Sequence, residues 1–212
     1  MTGQLFHENI SAMKTAALIA LLALMAPAAW AADFDFGFAR PGMTLDEFRA
    51  STWPAGVSVR CSGEADLPPE SATVRLSVPS PVARLGGTRC GLFTKNGGNW
   101  QTSGIDMAGT ATEVWGKFFP DRDGTPRLVQ LLLKQPPKAF DALADHFTQR
   151  FGAPAVRQAK LARWETEEAE ATIIEDGGRT LLAFVIDTRL QSALNARMSH
   201  QPRQSGAKDS PQ

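Results

Sequence analysis

The first clear change in the hydrophobic pattern marks a short helix. Thr44 can cap a helix, and Glu47 follows three residues later, so the pair forms a capping box. Met43 before the cap and Phe48 at the fourth helical position fit a hydrophobic staple. A Trp-Pro pair then ends the helical pattern. The sequence therefore predicts a first helix over 44–53.

From residue 57 the hydrophobic positions alternate with a period of two, which is typical of half-buried strands. Pro- and Gly-rich turns separate the alternating segments. The last two are joined by a hairpin turn with Asp123-Gly124 at its bend. The pattern predicts five strands, over 57–61, 72–78, 87–93, 112–119 and 126–134.

A second round of helix and strands follows. Phe140, Leu143, Phe147 and Phe151 lie on one helical stripe, which stops at Gly152. Strands are then predicted over 161–166, 170–175 and 179–187, and a last helix over 188–198 with a capping box from Thr188 to Gln191.

Consecutive hairpins rather than alternating helices and strands indicate an α+β fold with antiparallel sheet and helices packed on one face. The repeated order predicts two similar halves, 32–134 and 135–198, which meet near 135–137 and can share one continuous sheet. Residues 199–212 lack large apolar side chains and are predicted to form a disordered tail.

The N-terminus has the features of a secretory signal peptide. Lys14 precedes an apolar run over 16–26, and Ala29 and Ala31 supply the small residues before a cleavage site. Met13 is the better start, and the predicted signal peptide ends at Ala31. The run is too short to span a bilayer, so no stable membrane anchor is expected. The predicted location is the periplasm or the extracellular space.

The balanced charge of the chain argues against two classes of partner. The chain has 22 Lys and Arg and 22 Asp and Glu, for a formal net charge of zero. A neutral chain argues against nucleic acid and anionic membrane surfaces as main partners.

Export decides the chemistry of Cys61 and Cys90, the two cysteines of the chain. In an oxidising compartment two thiols in one domain normally pair. There is no C-x-x-C motif, and two cysteines without nearby histidines do not make a structural zinc site. The sequence predicts a Cys61–Cys90 disulfide.

No catalytic residue, metal site or cofactor is predicted. His146 lies on the flank of the helical stripe and is interpreted as a surface histidine. The Asp-x-Asp-Gly before Thr125 lacks the glutamate that a calcium loop needs. Four glutamates lie around a predicted hairpin turn, which favours a solvated turn over a catalytic pair: Glu165, Glu167, Glu168 and Glu170.

The segment 95–112 has no period and is rich in Gly, Ser and Thr, so it is predicted to be a long functional loop. Trp100 in this loop, with Asn99 and Lys95, is the candidate binding site, because tryptophans are enriched at binding hot spots. In the alternative interpretation, Trp100 folds back and fills the core beneath the loop.

Two short motifs resemble a known family. "GMTLDEF" at 42–48, and "FGAP" at 151–154 followed by Trp164, are similar to motifs of the SmpA/OmlA lipoproteins, the small subunit of the outer-membrane barrel-assembly machinery. The fold of the β-lactamase inhibitors is similar to that of this family. The resemblance implies a module of a helix packed on antiparallel strands, and no functional residue is transferred from it.

The leading hypothesis is an exported, non-catalytic domain that binds another protein or a cell-envelope component. The alternatives are a periplasmic hydrolase with an active site dispersed over loops, and an enzyme inhibitor that presents a loop.

Overall fold

The computed structural model describes residues 34–65 and 76–200. Helix α1 (Leu45–Ala50) begins at the predicted capping box. The Glu47 N–H donates to Thr44 Oγ1 at 3.1 Å, and the Thr44 N–H donates to the Glu47 carboxylate at 2.6 Å. The hydrogen bond from the Thr44 backbone N–H, and then that from its side chain, lowers the pKa of Glu47. The sequence therefore identified the start of this helix from its capping residues.

Besides α1, the first half contributes six strands and one further short helix. The helix α2 (Ser80–Arg84) lies between the first two strands. The strands are β1 (Val57–Cys61), β2 (Thr88–Asn96), β3 (Asn99–Thr102), β4 (Gly104–Met107), β5 (Thr110–Pro120) and β6 (Pro126–Gln135).

The second half begins with a 3₁₀ turn (Pro137–Ala139) that leads into α3 (Phe140–Phe151). Four strands and a final helix follow: β7 (Val156–Gln158), β8 (Leu161–Glu165), β9 (Ala169–Asp176), β10 (Thr180–Asp187) and α4 (Thr188–Ser199).

The cap of α4 differs from the predicted one. Asp187, not Thr188, is the N-cap, and its carboxylate accepts the Leu190 N–H at 2.9 Å. The predicted capping box from Thr188 is therefore wrong by one residue, because the aspartate at the end of β10 reaches the same free N–H groups.

All strands belong to one antiparallel sheet with the order β1-β2-β5-β6-β10-β9-β8-β7, while β3 pairs with β2 and β4 pairs with β5. The order is symmetric about the β6–β10 pair, since each half contributes four strands of this path that run from the edge inward. The α+β prediction is confirmed, and the two halves share one sheet.

The two faces of the sheet are covered differently. One face, called the core face here, packs against α1, α3 and the segment from Phe34 to Ala39, and it holds the main hydrophobic core. Helix α4 instead packs Leu194 against Phe119 and Val129, which point to the opposite face. The predicted one-sided arrangement thus holds for α1 and α3, and α4 adds cover at one end of the other face, called the open face.

The predicted loop over 95–112 is a pair of hairpins. Strands β2 and β3 are joined at Gly97 and Gly98, with φ of 55° and 87°, and β4 and β5 are joined at Ala108 and Gly109, with φ of 54° and 71°. Two consecutive residues with positive φ form the tight turns that suit twisted hairpins. The prediction of a loop was wrong because these turn residues were interpreted as irregular chain.

Another predicted strand, 72–78, is also corrected. Its described part, from Leu76 to Val78, is not in a strand, and Leu76 packs against Phe93 and Trp115 instead. The remainder of that segment, the signal peptide and the tail beyond His200 lie outside the described residues.

The disulfide is confirmed. Cys61 and Cys90 are directly opposite each other in the β1–β2 ladder and are bonded, with both side chains buried in the main core. The bond closes a loop with a sequence separation of 29 residues. A loop of this length constrains the unfolded chain strongly.

Replacing both cysteines with alanine should lower the free energy of unfolding by about 3–4 kcal/mol, because the unfolded chain regains the closed loop's freedom. Denaturant titration of both proteins measures this difference. Reductant should shift the midpoint of the original protein but not of the double variant. Equal midpoints for the two proteins in the absence of reductant would contradict the structural role.

Ala108 has the left-handed conformation that glycine tolerates best, with φ of 54°. Ala108→Gly should therefore stabilise the protein, by up to about 1 kcal/mol, because the left-handed strain exceeds the entropy cost of glycine. The control is Ala111→Gly, the same substitution at an exposed position of β5. That variant should be less stable by about 0.5–1 kcal/mol. Thermal denaturation tests both signs.

Candidate functional site

The predicted site residues lie on the β2–β3 hairpin. Lys95 is directly opposite Trp100, and Asn99 is opposite Asn96 next to the turn. Lys95 and Asn99 are exposed, whereas Trp100 is half-buried. The structure therefore brings Lys95 and Trp100 together on one side of the sheet.

Trp100 packs on a small cluster formed by Leu76, Phe93 and Trp115. The Arg60 guanidinium carbon lies 4.4 Å from its ring centroid, and Lys95 Nζ lies 5.2 Å from it. Two cations on one indole form cation–π contacts that hold its orientation. This placement fits the alternative in which Trp100 fills a core, although the core is the small cluster rather than the main one.

Cations continue along the open face. The Arg89 guanidinium carbon lies 5.2 Å from the Trp115 ring, and Arg89 is opposite Lys117 in the ladder. Desolvation and the charge of Arg89 lower the pKa of Lys117. Trp115 fits against the sheet because Gly91 has no side chain; a Cβ there would meet the indole. This part of the open face is cationic and aromatic, and it is partly covered.

Beyond this region the open face carries a set of apolar side chains that no helix of the described residues covers, called the apolar patch. Its members are half-buried, except Ile174, which is 40% exposed. They are Leu132 on β6, Leu182, Phe184 and Ile186 on β10, Ile174 on β9 and Leu161 on β8.

Strand register makes the patch continuous. Phe184 is opposite Leu132 on one side, and Leu182 is opposite Ile174, which is in turn opposite Leu161. Of these residues, only Leu132 packs against a buried cluster. The patch is therefore a contiguous group of partly exposed apolar side chains, which makes it a candidate interaction surface.

The sequence contains a signal for this patch that the prediction did not use. Residues 181–186 read "LLAFVI", and an antiparallel strand with one solvated face should alternate instead. In the structure Leu181, Ala183 and Val185 are buried in the core face, so the intervening apolar residues face outward. A continuous apolar run in a hairpin strand thus indicates two apolar faces.

The charged neighbours of the patch are mostly paired. Arg163 binds Glu165 at 2.8 Å, and Glu170 accepts the Thr172 hydroxyl at 2.8 Å. Lys134 lies directly opposite Glu113. Polar and charged side chains of both signs thus lie beside and between the apolar members of the patch.

The groups considered for catalysis are dispersed. His146 is half-buried on α3, on the core side of the sheet, and Glu167 and Glu168 are exposed in the β8–β9 turn as predicted. Within 34–65 and 76–200, no group of three or more His, Cys, Asp or Glu side chains could hold a metal ion. In the same residues, no helix is long and apolar enough to span a membrane.

Comparison with protein-family models, with curated proteins and with solved structures gives no match.

A stability measurement can distinguish the two roles considered for Trp100. Trp100→Ala should lower the free energy of unfolding by about 2 kcal/mol, since a half-buried indole loses roughly half of the 3–5 kcal/mol of a buried one. Asn99→Ala, at the neighbouring exposed position, should change it by less than about 0.5 kcal/mol. Equal small effects in denaturant titrations would show that Trp100 is not part of a core.

Proposed function

We propose that this chain is an exported, non-catalytic binding module of the cell envelope whose apolar patch docks a segment of another protein. The observation that supports the proposal most directly is the patch itself, centred on Phe184 and Ile174. Among the described residues, α4 covers this sheet face at one end and the cluster around Trp115 covers it at another.

The size of the patch favours a short segment over a second folded domain. Three strand spacings of about 4.8 Å and four residue steps of about 3.4 Å span an area roughly 15 Å on a side. Apolar side chains hold six of the twelve outward positions in that area, so the patch itself is on the order of 100 Å². An interface between folded proteins typically needs about 800 Å² from each partner. An amphipathic segment that lays one apolar face on the sheet needs much less area. The proposed partner is therefore such a segment, rather than a second copy of this chain.

Export is part of the proposal. The predicted signal peptide supplies a route across the membrane, and the Cys61–Cys90 disulfide fits an oxidising compartment such as the periplasm. The similarity of two motifs to the SmpA/OmlA lipoproteins is compatible with an envelope module, and it supports no assembly role.

A photo-reactive amino acid at position 174 tests the docking in cells that produce the protein. The expected product is a cross-link to one discrete segment of another protein, with apolar residues at helical or alternating spacing. Adding Phe184→Lys should remove at least nine-tenths of that product, because a lysine at the centre of the patch must be desolvated on docking.

The matched control places the same photo-reactive residue at Ala142, an exposed position of α3 on the other side of the sheet. Cross-links of equal yield at both positions, or cross-links only between copies of this chain, would contradict the proposal. Thermal denaturation verifies that each variant is folded.

A further inference from the structure

A second candidate site lies at one end of the sheet, away from the centre of the apolar patch, and this site is concave. It is a groove of about 950 Å³ between α4 and the turn that joins β5 to β6. Drug-sized ligands occupy pockets of about 300–1,000 Å³. The groove is therefore large enough for a small organic molecule.

Small and apolar side chains shape the groove. Ala193 and Ala196 lie along the face of α4 that borders it, with Leu190 one turn earlier, and Phe34 and Phe119 contribute apolar surface on the other sides. Ala193 and Ala196 are small and exposed, so the helix leaves the groove open at these two positions.

The groove also contains arginines from three separate segments. Arg40 precedes α1, Arg122 and Arg127 belong to the β5–β6 hairpin and its second strand, and Arg189 and Arg197 lie on α4. Each guanidinium carries five N–H donors and no acceptor. The groove therefore concentrates hydrogen-bond donors and positive charge at its margin.

Three of the four carboxylates that line the groove are already engaged, and the fourth, Asp123, has no side-chain partner in the described residues. Asp121 accepts the backbone N–H groups of Asp123 and Thr125 with one oxygen and Arg127 Nε with the other. The Arg127 guanidinium, and then these backbone donors, hold the pKa of Asp121 below its usual value. Asp187 caps α4, and Glu168 pairs with Arg189 at 3.3 Å. The oxygens of Asp121, Asp187 and Glu168 therefore bind groups of the protein itself.

The donors are not engaged to the same extent. Arg197 uses Nη1 for the Pro120 carbonyl at 2.9 Å, which leaves its other N–H groups free of protein acceptors in the described residues. Arg122 makes no hydrogen bond or ion pair with any residue of the described ranges. The unused hydrogen-bonding capacity of the groove is therefore mainly that of arginine donors, which match a carboxylate.

From this complementarity we infer that the groove binds a small molecule that carries a carboxylate on an apolar body. The carboxylate pairs with Arg122 and Arg197, and the apolar body lies along Ala193 and Leu190. Two sources share this chemistry, the C-terminal residues of a hydrophobic peptide and a medium-chain fatty acid. The site is separate from the apolar patch, so neither proposal depends on the other.

Isothermal titration of the purified protein with N-acetyl-leucyl-phenylalanine and with decanoate tests the inference and distinguishes the two sources. At least one probe should bind, and the matching amide, which lacks the negative charge, should bind at least tenfold more weakly. Amide-resonance shifts in an NMR titration should centre on Arg122, Ala193 and Glu168 rather than on Ile174.

Two variants test the named contacts. Arg122→Ala should weaken binding about tenfold, the equivalent of one charge-assisted hydrogen bond. The control Arg179→Ala removes an exposed arginine of the β9–β10 turn and should change affinity less than twofold. Ala193→Phe fills the groove without changing its charge and should abolish binding.

Absence of binding by both probes would overturn the inference, as would equal affinity for acid and amide or an unchanged affinity in folded Arg122→Ala. If Ala193→Phe does not fold, Ala196→Phe takes its place. Since the patch experiment detects cross-links at position 174, the two proposals fail independently.

Discussion

The pairing of β6 with β10 determines the rest of the molecule. It is the single contact in the sheet order at which the two halves meet, and its register places Leu131 opposite Val185, Leu133 opposite Ala183 and Gln135 opposite Leu181. These residues form the middle of the core face. Gln135 is buried and donates to the Met107 carbonyl and the Thr112 hydroxyl, so the same strand end is fixed to the β4–β5 turn.

The same register creates the two candidate sites. Because side chains alternate between faces, the residues between the core positions of β10 form the centre of the apolar patch. A shift of one residue would bury Phe184 and expose Ala183 and Val185. At the end of β10, Asp187 caps α4 and directs that helix along the groove. The fold thus places the apolar patch and the groove at adjacent parts of one strand.

The sequence predicted the elements that have strong local signals. Local signals of a few residues predicted the Thr44–Glu47 capping box and the helical stripe around Phe147. The disulfide was predicted because the chain has two cysteines and a predicted signal peptide. The β3 and β4 strands were missed because their tight turns resemble irregular chain. The groove could not be predicted, since its arginines come from three segments that meet only after the sheet forms. The patch could have been predicted from the sequence, because a continuous apolar run in a hairpin strand indicates that both faces of the strand are apolar.

Native-state hydrogen exchange measures the β6–β10 pairing most directly. If this pair joins the halves into one cooperative unit, the backbone amides that are hydrogen-bonded between β6 and β10 should have some of the slowest hydrogen-exchange rates in the protein. Their opening free energy should equal that of global unfolding, and slow amides of β2 and β9 should open with it. A lower opening free energy for the β6–β10 amides than for the centres of the two halves would contradict the account.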